Sequence, residues 1–478
     1  MKAIELKNVT FSYEGYEAKV LDDACFSVEY GEVALLSGFS GQGKSTVLSL
    51  LAGIIPNITP GDIKGEVLIG GEDITERKMS DVCRKVGVVL QNAESQIIQQ
   101  LVEDEIAFGC ENFAFTCDKI KDCVDRACRQ MQLNPQWKTR TLSGGQKQRL
   151  ITAATLATEQ KILVLDEPLA NLDKPGAELL MNTLRQLALS GYAVLVVEHR
   201  LDMVFPYVDA VWSISNGKIT AVKNKQEYLS AQAEHIQDTC CLHKVEKTVL
   251  RLDHIGFSVK GHEILQDISF EIKKGERVLL LGENGCGKTT LMRLIARLYQ
   301  PSKGSIIQGI DAKLGQKVKG TSSWFKRVGM VYQNPNYQLF MPTVQQEVAF
   351  GAESAEYAEK IMQMFGIAHL AERHPQSLSE GQKRRVSIAS VVATKPSVLL
   401  LDEPTVGQDY AGLREMVYIL NQLHEQSGNT MITITHDMRC AEALCDRAIY
   451  IENGVVSAEG GKDLAHKYFY VTNVLKCK

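Results

Sequence analysis

Gly38-Phe39-Ser40-Gly41-Gln42-Gly43-Lys44-Ser45, followed by Thr46, returns 244 residues later as Gly282-Glu283-Asn284-Gly285-Cys286-Gly287-Lys288-Thr289, followed by Thr290. Gly-x₄-Gly-Lys-Ser/Thr is a loop whose backbone N–H groups wrap phosphate oxygens at a helix N-terminus. The lysine reaches the β- and γ-phosphates, and the hydroxyl coordinates magnesium. Glycines are needed because a side chain would hold the backbone away from the anion. One such stretch fits an ordinary turn. Two, each preceded by a strand-like run (Val33–Leu36 and Val278–Leu281), point to two phosphate-binding sites.

The rest of the chain repeats in the same order. Val88-Val-Leu-Gln91 returns as Met330-Val-Tyr-Gln333, and Leu142-Ser143-Gly144-Gly145-Gln146 returns as Leu378-Ser379-Glu380-Gly381-Gln382. Ile162-Leu-Val-Leu-Asp166-Glu167 returns as Val398-Leu-Leu-Leu-Asp402-Glu403, and His199 returns as His436. A length of 478 residues suggests about three domains, but the repeat divides the chain in two. The expected domains are 1–222 and 249–478, joined by a polar connector, 223–248, read as a short helix plus linker. Runs such as Ile162–Leu165, Ala193–Val197, Val398–Leu401 and Met431–Ile434 read as strands buried on both faces, as in parallel sheets. Each ends in polar residues, where open α/β sheets bind ligands. Asp166 and Asp402 are placed to hold magnesium, Glu167 and Glu403 to accept a proton from water, and His199 and His436 to sense the γ-phosphate.

Composition excludes several classes. The 53 basic against 57 acidic residues give a net charge of −4, without the basic footprint of a nucleic-acid binder. No apolar run approaches the ~20 residues of a spanning helix, and the first residues lack the apolar stretch of a secretory signal. The expectation is a soluble, cytosolic chain. The 12 cysteines match no zinc spacing and read as reduced small hydrophobes.

Leu-Ser-Gly-Gly-Gln ahead of the Asp-Glu strand resembles the signature of the ATP-binding cassette (ABC) superfamily, and the resemblance covers essentially the whole chain. It implies an α/β fold of two P-loop NTPase domains in tandem. Each would have a mainly parallel core sheet, an antiparallel β subdomain and a helical signature subdomain. It also implies head-to-tail cassettes, with loop 38–45 facing signature 378–382 and loop 282–289 facing signature 142–146. The nucleotide contacts would then include Ser143, Gly144, Gly145, Gln146, Ser379, Gly381 and Gln382. Gln91 and Gln333 would contact magnesium beside Ser45, Thr289, Asp166 and Asp402. Asp173 and Asp409 would be the D-loop residues, and Tyr13 the aromatic that stacks on adenine. Val259 and Glu380 depart from that pattern, so the two ATP sites should be unequal.

A narrower resemblance follows each glutamine. Gln91-Asn-Ala-Glu-Ser-Gln96 with Val102-Glu-Asp-Glu-Ile-Ala-Phe-Gly109, and Gln333-Asn-Pro-Asn-Tyr-Gln338 with Val344-Gln-Gln-Glu-Val-Ala-Phe-Gly351, resemble ATPases of energy-coupling factor (ECF) transporters and cobalt or nickel importers. The resemblance implies an ATPase, with ATP and Mg²⁺, that powers import of a vitamin, a vitamin precursor or a metal ion. Its partners would be membrane-embedded T-like and S-like subunits, and it would sit peripherally at the cytoplasmic face of the membrane. The pairs Val102/Ile106 and Val344/Val348 are expected to line the groove that receives membrane helices. A soluble translation-associated tandem cassette, a sugar-import ATPase and a non-catalytic scaffold stay open as alternatives.

Overall fold

The computed structural model describes residues 1–15, 18–39, 41–170, 172–232, 247–309, 316–317, 321–408 and 410–470. Ser40 and Asp409 of the expected site lie outside these residues. The chain divides into two compact units, 1–234 and 235–478. Helix Lys225–Gln232 belongs to the first: Lys225 Nζ donates to the Val208 carbonyl (2.6 Å) and Tyr228 Oη to Ser37 Oγ (3.1 Å).

In the first unit the strand order is Lys218–Ala221, Ala210–Ser215, Val33–Ser37, Ala193–Val197, Ile162–Asp166, Val86–Val89. All neighbours are parallel except the first pair. The three inner strands are buried at every residue, and alternate side chains enter different cores. Val33, Leu35, Leu163, Leu165, Val194 and Val196 pack with helices Val102–Asn112, Cys117–Gln130 and Gly144–Ala157. Ala34, Leu36, Ile162, Val164 and Leu195 pack with helix Lys44–Leu51 and an antiparallel sheet built on Lys2–Tyr13, Leu21–Glu29 and Gly61–Ile69. A strand without polar alternation is thus explained: both faces are dry.

The second unit repeats this plan with Arg277–Leu281 at the centre, flanked by Thr430–Ile434 and Arg447–Glu452. There the antiparallel and parallel parts join into one ten-stranded sheet through the pairing of Asp267 with Val455. In both units the phosphate loop leaves the carboxyl end of the central strand, and Asp166 or Asp402 ends a strand of the same sheet. Parallel order therefore gathers distant polar residues along one edge.

Candidate functional site

The two phosphate loops are superposable in their bonding. Lys44 Nζ donates to the carbonyls of Gly38 (2.7 Å) and Phe39 (2.9 Å), and Lys288 Nζ to those of Gly282 (2.7 Å) and Glu283 (2.9 Å). Gly43 and Gly287, at φ 100° and 102°, turn the chain into helices Lys44–Leu51 and Lys288–Ile295. A Cβ there would strain the backbone that presents N–H groups to an anion. Tyr13 lies beside the first helix start: its Oη is 2.9 Å from Thr46 Oγ1, and its ring meets Phe11 edge-on. Val259, its counterpart, is exposed and brings no ring. Gln42 Oε1 accepts from the Asn216 N–H, while Asn284 Oδ1 lies 3.1 Å from His436 Nε2.

Glu167 and Glu403 both adopt left-handed backbone, φ 45° and 53°, held because their N–H groups donate to the Val197 and Ile434 carbonyls. Such strain in a non-glycine residue clusters at functional sites. Glu167 accepts from Gln91 Nε2 (2.9 Å) and lies 3.4 Å from His199 Nε2; Glu403 lies 3.5 Å from His436 Nε2. Burial opposes ionisation of Glu167, yet the His199 and Gln91 contacts hold its carboxyl below the usual range. Asp166 behaves oppositely: burial and the Glu167 charge push it up to about 7. Burial also raises Asp402, whose Oδ2 accepts from Thr289 Oγ1 at 3.0 Å. No such bond joins Ser45 to Asp166 among the described residues. Hydroxyl, carboxylate and amide oxygens of this kind suit a hard cation such as magnesium.

The signature segments have a local structural reason that motif reading passed over. Ser143 Oγ accepts from Gln146 N–H while Gln146 Oε1 accepts from Ser143 N–H, a capping box repeated by Ser379 and Gln382. Asp173 caps the next helix through Gly176 N–H (3.0 Å). Glu380, the odd residue of the second signature, pairs with Lys383 (3.1 Å), which offsets its charge at the helix start. Glu198, one of the polar strand-end residues, has a bonding role that its spacing does not reveal. It is buried and accepts from the N–H groups of Leu169, His199 and Arg200, tying the loop after Glu167 to the histidine turn.

The segments after Gln91 and Gln333 correct one expectation. Val102 and Val344 are 0% exposed, and with Ile106 and Val348 they belong to the cores, not to an open groove. Glu105 and Glu347 are buried as well. Glu105 accepts from Ile98 and Gln99 N–H, and Glu347 from Phe340 and Met341 N–H, at 2.6–2.8 Å. These carboxylates fold a loop that turns Ile98 outward at 67% exposure and Phe340 at 65%, the latter edge-on to exposed Phe350.

The ABC transporter family model matches residues 21–170 and 265–406. A Methanosarcina mazei protein named "Putative ABC transporter ATP-binding protein" is 31% identical over 96% of this chain and 88% of its own length. The Bacillus subtilis protein named "Putative HMP/thiamine import ATP-binding protein YkoD" is 31% identical over 96% of this chain and 91% of its own. Among solved structures, "Model of ribosome-bound archaeal Pelota and ABCE1" matches with a TM-score of 0.73 at 21% identity, covering 96% of this chain and 80% of that one. At that identity the likeness is one of fold.

Proposed function

The chain belongs to the ABC transporter family, and on that premise we propose that it is the ATP-hydrolysing subunit of an ECF-type importer that works with separate membrane subunits. The observation that carries the ATPase reading is the Gln91–Glu167–His199 cluster beside Lys44 and the Glu403–His436 pair beside Lys288. In each half the loop N–H groups bind the phosphates and the lysine draws charge from the γ-phosphate. Ser45, Asp166 and Gln91 in the first half, and Thr289, Asp402 and Gln333 in the second, would hold magnesium, which would supply neutralisation of the phosphate charge. Glu167 and Glu403 take a proton from the attacking water, and His199 and His436 orient against the γ-phosphate. Glu167 is held ionised by its contacts, as a base must be.

The importer reading is supported by the exposed Ile98, Tyr337, Phe340 and Phe350 in the segments that follow the two glutamines, a place suited to apolar helices of a membrane subunit. Among the described residues no helix is long and apolar enough to cross a membrane, so those spans would come from other chains. The relative named for HMP/thiamine import makes vitamin precursors the first cargoes to test.

Glu167→Gln combined with Glu403→Gln should bind ATP yet lose turnover by roughly 10²–10⁴-fold, the usual worth of a positioned base. Parent-level hydrolysis in that double variant would remove both residues from the role. Isolation of the chain from native membranes with no integral membrane subunit attached would overturn the importer reading.

A further inference from the structure

The two halves bond alike at the phosphate loop but differ at several buried positions of the signature helix, and at one of them a guanidinium replaces an amide. Arg384, on helix Glu380–Val392, is 3% exposed; the matching residue in the first half is Gln148, 1% exposed. Arg384 Nη1 donates to the Tyr332 carbonyl (2.8 Å) and Nη2 to the Gln333 carbonyl. One guanidinium thus closes on two consecutive carbonyls at the glutamine of the site. A planar fork can do this, whereas a primary amine or an amide cannot hold both in fixed geometry.

The first half solves the same problem differently. Gln148 Nε2 finds no partner among the described residues. Lys147, one position earlier, bonds Glu94 of the Gln91 loop at 2.6 Å in a partly exposed pair. Its counterpart Lys383 turns instead to Glu380, and Asn336 stands where Glu94 would be. A buried guanidinium must be compensated. Burial pulls the Arg384 pKa down to about 10, opposed by the carboxylates of Glu403, Glu380 and Asp402, so it stays charged at neutral pH.

We propose that Arg384 is a positioning residue of the second hydrolytic site, fixing the Gln333 backbone and offsetting the carboxylates of Asp402 and Glu403. This rests on the assignment of Gln333 and Glu403 to hydrolysis. It acts through these neighbours, by way of its bonds to the Tyr332 and Gln333 carbonyls.

The test uses the full chain and compares Arg384→Gln, which installs the first half's own residue, with Arg384→Lys and Glu403→Gln. Steady-state ATPase rate, affinity for a fluorescent ATP analogue and thermal midpoint are measured for each. The turnover that Glu403→Gln removes defines the share of the second site. Arg384→Gln should cut that share about tenfold, as small misplacements of catalytic groups do, with ATP affinity unchanged, and Arg384→Lys should fall between. Parent turnover in Arg384→Gln beside a clear loss in Glu403→Gln overturns the proposal, as does an equal loss of affinity and rate. Should Arg384→Gln not fold, Arg384→Lys decides: parent turnover there overturns it and a severalfold loss at constant affinity supports it. No loss in Glu403→Gln would instead remove the assignment on which the proposal rests.

Discussion

At the level of single residues, the halves exchange one arginine between elements. Arg277 opens the central strand of the second unit at 1% exposure, bonding Asp446 (Nη2 to Oδ1, 2.5 Å) and Asn421 (Nη1 to Oδ1, 3.0 Å). The first unit has Val33 in the strand and places Arg185, the counterpart of Asn421, against Asp209, the counterpart of Asp446. Removing one partner of a buried ion pair typically costs ~3–5 kcal/mol, because the other charge is left unpaired. Arg277→Val should therefore lower unfolding free energy by about that amount in urea, and adding Asn421→Arg should recover part of it. No recovery would mean that the two positions cannot share the role. Nothing in Arg277-Val-Leu-Leu-Leu announces the pair, since Asp446 is distant in sequence and adjacent only through the parallel sheet.

At the level of elements, the segment after each glutamine shows how far a pattern can be read. The spacing of Val102 with Ile106, and of Val344 with Val348, correctly marks one face of a helix, and both pairs do lie on helices. The spacing does not give the direction of that face, because a core and a partner's groove ask for the same side chains. The structure assigns these faces to the interior and leaves Ile98 and Phe340 outside, on loops held by Glu105 and Glu347. Charged residues at Val102 or Val344 would test stability, not docking. Ile98→Asp with Phe340→Asp should instead reduce co-purification with membrane subunits, since a charge buried without a partner is costly. ATP-analogue binding by the isolated chain serves as the folding control. Undiminished co-purification would take these side chains out of the interface.

For the whole molecule, the halves also differ at a buried histidine. His424 of the second unit is buried and bonds the Asn429 carbonyl through Nδ1 (2.8 Å); the matching residue of the first unit is Ala188. Burial lowers the His424 pKa below its ordinary 6.5. The unfolded chain then binds the proton more readily, so stability is full above pH about 6.5 and falls as pH drops toward the lowered value. His424→Ala should flatten the dependence of thermal midpoint on pH between 7.5 and about 5.5; an unchanged slope would assign the effect elsewhere. The duplication, the α/β order of each half and the residue types of each glycine-rich loop are readable in the sequence. Those rest on local chemistry: glycines where backbone must meet an anion, and apolar runs where a strand is covered on both sides. Which arginine bonds the Gln333 carbonyl, which carboxylate folds a loop, and whether an apolar face points inward or out are set by packing between distant segments. Each of those depends on the partner that the parallel sheet and its helices bring from tens or hundreds of residues away, and burial then fixes which pairings are tolerated.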